Sequence, residues 1–197
     1  MKRKYCVGAL CIILLAALWF WRYTSLNEYY RNFSKMQRLE FPAGQWVPFG
    51  DDYIEIDMKA DGYWIRVDDF KITDYEDFIA SESISVDSTS RKPEKLCLVT
   101  ISLKNVDSIE KGILLPELML HGYDSYALMN WDILTAINPI LQNYYGLQLL
   151  KGSECQLVLP FDLYEFLYRS STWRKIDDYS FFLRITFFPT SKDIKLQ

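Results

Sequence analysis

The stretch Leu96-Cys97-Leu98-Val99-Thr100-Ile101-Ser102-Leu103-Lys104-Asn105 is the most regular part of this chain of 197 residues. Apolar and polar side chains alternate through it, which is the period of a strand with one buried face. The inward face would carry Cys97, Val99, Ile101 and Leu103. Leu98 breaks the alternation, because it is an apolar side chain on the face predicted to be polar. The stretch predicts a long strand in the core of a β domain.

Further strand patterns lie on both sides of this stretch. One follows the turn signal Asp61-Gly62 and runs to Phe70, another covers residues 155–161, and a final one covers residues 179–188 before Pro189. Shorter candidates are residues 46–58, 113–121 and 126–134. Short strands separated by turn residues predict a mainly β fold in which the strands form a sandwich.

Three stretches outside these strands have other patterns. Residues 74–91 are acidic and rich in serine, which predicts a loop with one turn of helix. Residues 163–168 predict a short helix. Residues 190–197 are polar, and they predict a frayed tail or a short edge strand.

The N-terminus carries an apolar run that no soluble surface would accommodate. Residues 5–21 contain no charge, follow Lys2-Arg3-Lys4 and end at Arg22. Their 17 residues would span roughly 26 Å as a helix, just short of a bilayer core of about 30 Å. The cationic cluster predicts a cytoplasmic N-terminus and an extracellular C-terminal domain. The exit from the run is bulky, which favours a retained signal anchor over a cleaved signal peptide, although cleavage stays open.

Beyond the run, an apolar face recurs at three- and four-residue steps through residues 24–39 and predicts a helical stalk. The predicted organisation is therefore a signal anchor or transmembrane helix at residues 1–22, a helical juxtamembrane stalk at 23–41, and an extracytoplasmic β-sandwich domain at 42–197. The lipid bilayer is the partner predicted for residues 5–21, and the cell membrane is the predicted location.

The charge balance excludes one class of partner. Four of the 22 cations flank the apolar run, whereas all 26 acidic residues lie beyond it, so the rest of the chain has a net charge of −8. An acidic domain repels nucleic acid, and no basic stripe with interleaved aromatic residues is present in the sequence. Nucleic-acid binding is therefore not expected.

The sequence offers little catalytic chemistry. His121 is the only histidine, and no Gly-x-Ser-x-Gly nucleophile motif accompanies it. No spaced cysteines and histidines predict a zinc site. Acidic residues do cluster at Asp51-Asp52, Asp68-Asp69, Asp177-Asp178 and most densely at Asp74, Glu76 and Asp77, but none has the EF-hand spacing. Calcium at Asp74, Glu76 and Asp77 stays open as an alternative, whereas a solvated acidic edge is the favoured interpretation. Adjacent acids on a strand point to opposite faces, which is a poor arrangement for binding a metal ion. We therefore expect no metal, and the motifs above predict neither a cofactor nor a catalytic residue.

Several short phrases of the sequence occur in a recognisable order. They are Gly44-x-Trp46-Val47-Pro48-Phe49-Gly50, Gly62-Tyr63-x-Ile65-Arg66-Val67, Thr100-x-Ser102-x-x-Asn105, Asn138-Pro139, Lys151-Gly152 with Leu159-Pro160-Phe161, and Phe188-Pro189. In this order they resemble an uncharacterised family of membrane-anchored proteins of Gram-positive bacteria (Firmicutes), related in style to telokin-like, immunoglobulin-like extracellular domains. The resemblance covers almost the whole chain beyond the anchor and implies a surface-exposed, immunoglobulin-like sandwich. It implies no catalytic residues.

Cys97 and Cys155 lie on separate predicted strands and both face inward. Their separation, with Trp131 between them, resembles that of the inter-sheet disulfide of immunoglobulin domains. The alternative is two buried free thiols that serve as small apolar residues. Both readings stay open at this point.

The function favoured by these patterns is a non-enzymatic, membrane-anchored surface module that binds a protein or an envelope component. Two alternatives remain, an accessory subunit that acts through its anchor and stalk, and an envelope glycan hydrolase that uses paired carboxylates. Four tryptophans are of the type that dominates interfaces, although core packing is the better account for most of them. They are Trp46, Trp64, Trp131 and Trp173.

Overall fold

The computed structural model describes residues 2–27, 37–55, 58–85, 91–108, 112–123, 125–141 and 146–197. The chain divides into two compact units, Met1–Met36 and Gln37–Gln197. The α-helices are α1 Lys2–Leu26, α2 Tyr75–Glu82, α3 Trp131–Ile137 and α4 Ser170–Trp173. The strands are β1 Gln37–Pro42, β2 Val47–Pro48, β3 Tyr53–Glu55, β4 Met58–Lys59, β5 Tyr63–Asp74, β6 Lys95–Asn105, β7 Ile113–Leu114, β8 Met119–His121, β9 Tyr126–Met129, β10 Gly146–Leu147, β11 Glu154–Leu163, β12 Phe182–Thr186 and β13 Thr190–Lys195.

The first unit contains α1, whose apolar side chains from Ile12 onward are open to solvent. Trp19 is 67% exposed and Trp21 is 68% exposed, and the Trp19 ring stacks on Tyr23 at 5.3 Å between centroids. Among the residues that the structure describes, no helix is both long enough and apolar enough to cross a membrane.

Nine strands of the second unit form one sheet in the order β1-β13-β12-β8-β9-β11-β6-β5-β2, and two strand pairs, β3 with β4 and β7 with β10, lie outside it. All pairs in the large sheet are antiparallel except β1 with β13. The mainly β prediction is therefore confirmed. The arrangement differs from the two separate sheets of an immunoglobulin-like sandwich, because β9 pairs with both β8 and β11 and joins the two halves.

The two ends of this sheet approach one another around a single apolar core. The Gly44 amide, just after β1, donates to the Val67 carbonyl of β5 at 2.8 Å. At the other end of β13, Lys192 donates its ammonium group to the carbonyls of Pro48 and Phe49 at 2.9 and 2.8 Å. The inward side chains of both halves accordingly share one cluster, which includes the face of β6 that the alternation predicted.

A bulge in β5 turns the strand and changes which side chains face the core. The register against β6 shifts between Val67 and Asp69, so Asp68 is an extra residue, and such bulges increase local twist. Asp68 contacts Ser102, and Asp69 pairs with Thr100. The expectation that adjacent acids point to opposite faces is therefore wrong at Asp68-Asp69, because both lie on the outer face.

The outer face of β6 is covered by a second layer made of α2 and α3. Leu96 and Leu98 pack there with Tyr75 and Phe78 of α2 and with Ile133 of α3 in a separate apolar cluster. Leu98, the exception to the alternation, is only 3% exposed. The broken pattern marks a strand that is buried on both faces.

Strand β13 is the largest difference from the predicted structure. Residues 190–195 lie between β1 and β12, whereas the polar composition predicted a frayed tail or an edge strand. Ser191, Lys192 and Asp193 are all buried. Their burial is possible because each charged group has partners within the fold.

Asp193 is the centre of a buried ion cluster. Its carboxylate receives Arg184 Nε and Nη2 at 2.8 and 3.0 Å and Arg38 Nε at 2.7 Å, and His121 Nε2 lies 3.2 Å away. Burial favours the neutral acid, but the neighbouring His121 and Arg184 side chains outweigh it and hold the pKa of Asp193 well below its usual range. The cluster connects β1, β13, β12 and β8.

Lys192 is satisfied in the same manner on the opposite face of β13. Besides the two carbonyls, its ammonium group lies 2.7 Å from Asp52 Oδ2, so all three N–H donors have an acceptor. Asp52 Oδ1 also accepts the Thr190 amide at 3.1 Å. The Asp51-Asp52 pair noted in the sequence therefore stabilises the fold through Asp52.

The helical stalk predicted over residues 24–39 needs one correction. Residues 37–39 belong to β1 and pair with residues 190–192 of β13, because backbone pairing and the Arg38–Asp193 contact outweigh local helical periodicity. Residues 24–26 are helical as the end of α1. The part of the predicted stalk at residues 28–36 lies outside the described residues.

We expect Asp193→Asn to destabilise the fold by about 3–5 kcal/mol, because it leaves two guanidinium groups without their buried counter-charge. An acid with a lowered pKa in the folded state stabilises above its unfolded pKa, and this contribution is lost as the pH falls. The difference from the wild type should therefore shrink below about pH 4. Urea unfolding of the full-length chain between pH 3 and 7 measures both effects.

The matched control is Asp178→Asn, which changes an exposed carboxylate and should shift the unfolding free energy by less than about 0.5 kcal/mol. A loss of under about 1 kcal/mol in the Asp193 variant would show that the cluster is not required for stability.

Candidate functional site

A cleft of the β unit lies beside the second layer, where β11 ends and α3 begins. Its volume is about 280 Å³, near the lower limit for ligand pockets. The groups that give it chemical character are Tyr75, Asn130, Trp131, Asp132, Asp162 and Tyr164, and two cations, Arg91 and Lys92, complete the wall.

Asn130 fixes the geometry of this cleft. It precedes α3 in an extended conformation, and its Oδ1 accepts the Ile133 amide at 3.1 Å, which caps the helix. The same side chain donates through Nδ2 to Asp162 Oδ1 at 2.9 Å. One amide therefore joins the start of α3 to the end of β11.

Asp162 forms the floor of the cleft and is only 9% exposed. Burial raises its pKa, hydrogen bonds from Asn130 and Tyr164 offset part of this, and the charge of Asp132 adds to the increase. A carboxyl group with a perturbed pKa in a cleft is a feature of functional sites.

Tyr164 extends the network from Asp162 to the opposite wall. Its hydroxyl lies 3.1 Å from the Arg91 carbonyl and 3.3 Å from Asp162 Oδ2. Burial and the neighbouring Asp162 raise the pKa of Tyr164 to about 12, so the phenol remains protonated. The Tyr164 hydroxyl has one hydrogen and two neighbouring acceptors, so it cannot donate to both at once. A protonated Asp162 would donate to Tyr164, and Tyr164 would then donate to the Arg91 carbonyl.

Two polar groups of the cleft are not used by the fold. Tyr75 is 3% exposed, yet its hydroxyl has no hydrogen-bond partner among the described residues. The Asp132 carboxylate, in the first turn of α3, is exposed and likewise has no ion-pair partner in the described part of the chain. Both residues line the cleft, so each can bind a molecule from outside.

The two cations of the wall are already engaged. Lys92 Nζ lies 2.9 Å from Glu76 Oε1, and Arg91 Cζ lies 4.1 Å from the centre of the Phe166 ring. Glu76 and Asp77, once considered with Asp74 for calcium, lie in the first turn of α2, where carboxylates favour the helix dipole. In the ranges that the structure describes, no group of three or more His, Cys, Asp or Glu side chains could hold a metal ion.

Cys97 and Cys155 are free thiols on neighbouring strands. Cys155 pairs with Leu103 and Cys97 pairs with Phe161, so six residues, or about 20 Å, separate them along the strands. A disulfide requires Cα atoms about 4.4–6.8 Å apart, and the bond considered between them does not fit this register. Burial raises the pKa of both thiols, that of Cys155 to about 11.

The four tryptophans do not share one surface. Trp131 lines the cleft, whereas Trp46 lies against Lys104 and Arg66 on the outer face of the β5–β6 pair. Trp64 lies beside the same Lys104. Trp173 packs on the main core with Tyr168.

Sequence reasoning missed Tyr75, Asn130, Asp162 and Tyr164. The available signal was a single acid, Asp162, in an otherwise apolar stretch of sequence. The stretch is Leu159-Pro160-Phe161-Asp162-Leu163. The Asn130 cap was hidden because residues 126–134 were predicted as one strand. The structure instead ends β9 at Met129 and begins α3 at Trp131.

Asp162→Asn should remove a pH dependence of stability. An acid with a raised folded pKa destabilises the fold as the pH rises from its ordinary value of 3.8, because the unfolded chain ionises first. Asparagine resembles the protonated acid, so the variant should gain stability relative to the wild type between pH 4 and 7. Urea unfolding at several pH values measures this gain, and a constant difference across the range would contradict it.

With the geometry of the cleft established, we compared the chain with known proteins. No curated protein and no solved structure gives a significant match. Residues 38–192 match the family described as Domain of unknown function (DUF5028). This match covers most of the chain, and the protein therefore belongs to the DUF5028 family.

Proposed function

We propose that this protein is a membrane-anchored, non-enzymatic module at the cell surface that binds a component of the cell envelope in the cleft beside Asp162. The observation that carries the proposal is that two polar groups beside a fixed network, Tyr75 and Asp132, have no hydrogen-bond or ion-pair partner among the residues that the structure describes. Binding sites typically combine concave aromatic walls with a few positioned polar groups.

The rigidity of the cleft supports a binding function. Asn130 and Tyr164 hold Asp162 from two sides, and Asn138 fixes the other end of α3 by donating to the Val158 carbonyl at 2.8 Å. A pre-organised site loses less entropy when a ligand binds.

The proposed anchor rests on the N-terminal sequence and on α1. Residues 5–21 are uncharged and follow three cations, and the described apolar side chains of α1 are exposed. Trp19, Trp21 and Tyr23 are suited to the membrane interface and could compensate for the short apolar run. The same charge pattern favours a cytoplasmic N-terminus and an extracellular β unit.

A second function, an envelope glycan hydrolase, is favoured by the two carboxyl groups of the cleft. Asp162 is buried with a raised pKa, as a general acid requires, whereas Asp132 is exposed and suited to a base or a nucleophile. This candidate predicts release of soluble sugar from envelope material, abolished by Asp162→Asn. A binding module releases none.

The binding function can be tested with envelope material from which detergent has removed the membrane. We expect the full-length chain, kept in micelles, to be retained saturably on immobilised envelope material. Asp132→Asn should weaken retention about tenfold or more, because a hydrogen bond to a charged group is lost. Asp178→Asn, which changes an exposed carboxylate away from the cleft, should bind as the wild type does, and equal retention of all three proteins would contradict the assignment to the cleft.

The anchor can be tested in membranes of expressing cells. We expect the full-length chain to remain in the membrane pellet after an alkaline wash, and a C-terminal tag to be accessible to protease added outside intact cells. Replacing two residues of the apolar run with lysine should release the chain, because each buried charge costs about 2.5–3.5 kcal/mol. Release of the wild-type chain by the wash would contradict the anchor.

The accessory-subunit alternative is separated by exchanging residues 5–36 for an unrelated anchor, which keeps strand residues 37–39 in place. Binding to envelope material should persist if the cleft carries the function. Loss of binding in a correctly inserted protein would instead assign the interaction to the N-terminal segment.

A further inference from the structure

The unused groups of the cleft show what kind of atom a ligand must offer. A carboxylate only accepts hydrogen bonds, and a phenol can donate one and accept others. The Tyr75 ring is buried, but its residue lines the cleft and its hydroxyl has no partner among the described residues, so it can pair with a group that enters from outside. A ligand that donates to Asp132 and exchanges a hydrogen bond with Tyr75 would satisfy both groups.

The charges around the cleft disfavour ions of either sign. Lys92 is neutralised by Glu76, and Arg91 lies on the Phe166 ring, so a ligand anion would meet Asp132 without an uncommitted cation beside it. A ligand cation would meet Asp132 favourably, but the Arg91 guanidinium keeps its charge beside the Phe166 ring and belongs to the same wall. With Lys92 paired to Glu76, the charges left at the cleft are of both signs, which suits a neutral molecule.

Aromatic rings complete the chemical description. Trp131 and Tyr164 line the cleft, and rings with an apolar body and a polar end suit molecules of the same mixed character. Sugar rings have C–H groups on their faces and hydroxyl groups at their edges. A volume of about 280 Å³ accommodates a small ligand or one unit of a longer chain that continues out of the open side.

We infer that the cleft binds one unit of a neutral saccharide, with sugar hydroxyls bonded to Asp132 and Tyr75 and the sugar ring against Trp131. This assignment rests on the proposed binding function and specifies its ligand class. Asp162, held by Asn130 and Tyr164, forms the polar floor below the sugar. It is a positioning residue for the walls of the cleft.

The inference is tested by titrating the full-length chain, in micelles of a detergent without a sugar head group, with defined soluble sugars. The probes are the trisaccharides of N-acetylglucosamine and of glucose as neutral ligands, with glucosamine and glucuronate as the cationic and anionic comparisons. We expect saturable calorimetric or NMR responses to at least one neutral trisaccharide, and binding at least tenfold weaker for both charged sugars.

Two conservative variants locate the site. Tyr75→Phe removes only the hydroxyl and keeps the buried ring, and Asp132→Asn removes only the charge, so both should fold, as thermal unfolding will verify. Each should weaken binding of the neutral sugar about tenfold. Tyr126→Phe and Asp178→Asn, which alter an exposed phenol and an exposed carboxylate away from the cleft, should bind as the wild type does.

Each remaining outcome is decisive. Absence of binding to both neutral trisaccharides, unchanged affinity in both cleft variants, or tighter binding of a charged sugar would overturn the saccharide assignment. If envelope material is still retained through Asp132 while neutral sugars neither bind nor compete, the proposed binding function stands and only the ligand class fails. If envelope material is not retained, the proposed function fails as well.

Discussion

The buried carboxylate of Asp193 is the interaction on which the β unit most depends. It lies in β13, the last strand of the chain, and its partners come from β1 and β12, the two strands on either side, and from β8 beyond β12. A charge removed from water in this manner requires nearly all of its hydrogen-bonding capacity to be used. Because Arg38 and Arg184 provide this, a polar segment can occupy the interior of a sheet.

Lys192 is likewise a buried charge whose hydrogen bonds are all satisfied, on the other side of the strand. Its ammonium group binds Asp52 and the carbonyls of Pro48 and Phe49, so β13 is fastened to the segment that follows β2. The two ends of the nine-stranded sheet are thus connected by a side chain. Two consecutive residues of one polar strand thus have different roles. Asp193 binds the arginines of the neighbouring strands, and Lys192 binds the segment that follows β2.

The candidate site depends on a different feature, the second apolar layer. Leu96 and Leu98 make the outer face of β6 apolar, and α2 and α3 pack on it. The cleft forms at the margin of this layer because α3 begins at Asn130, whose side chain reaches Asp162 on β11. Tyr75 belongs to both the layer and the cleft, and the Asn130 side chain that caps α3 also orients Asp162.

The sequence predicted those features that follow from local alternation. The long strand at residues 96–105, the turn at Gly62 and the mainly β class are all present, and Leu98 already contained the signal of a second buried face. Features that depend on pairing across the chain were not predictable. The polarity of residues 190–195 indicated exposure because Arg38 and Arg184 are distant in sequence, and the spacing of Cys97 and Cys155 gave no information on strand register. Asp162 was inconspicuous because its partner Asn130 is distant in sequence and lies just beyond the end of β9, a strand boundary that was not predicted.

The bulge at Asp68 has a consequence for how this strand can change. Before it, odd-numbered residues of β5 face the core, and after it even-numbered residues such as Phe70 and Ile72 do so. The strand is in effect two amphipathic segments that are out of phase by one residue. If Asp68 were paired as in a regular strand, every later residue would move one step along β6, so Asp69 and Lys71 would turn inward and Phe70 and Ile72 towards the helical layer. Deletion of Asp68 would instead let Asp69 follow Val67 directly, and all four side chains would keep their present faces. The extra residue therefore holds the two out-of-phase segments in one strand, and losing it would cost the local twist of the bulge while both faces stayed as they are.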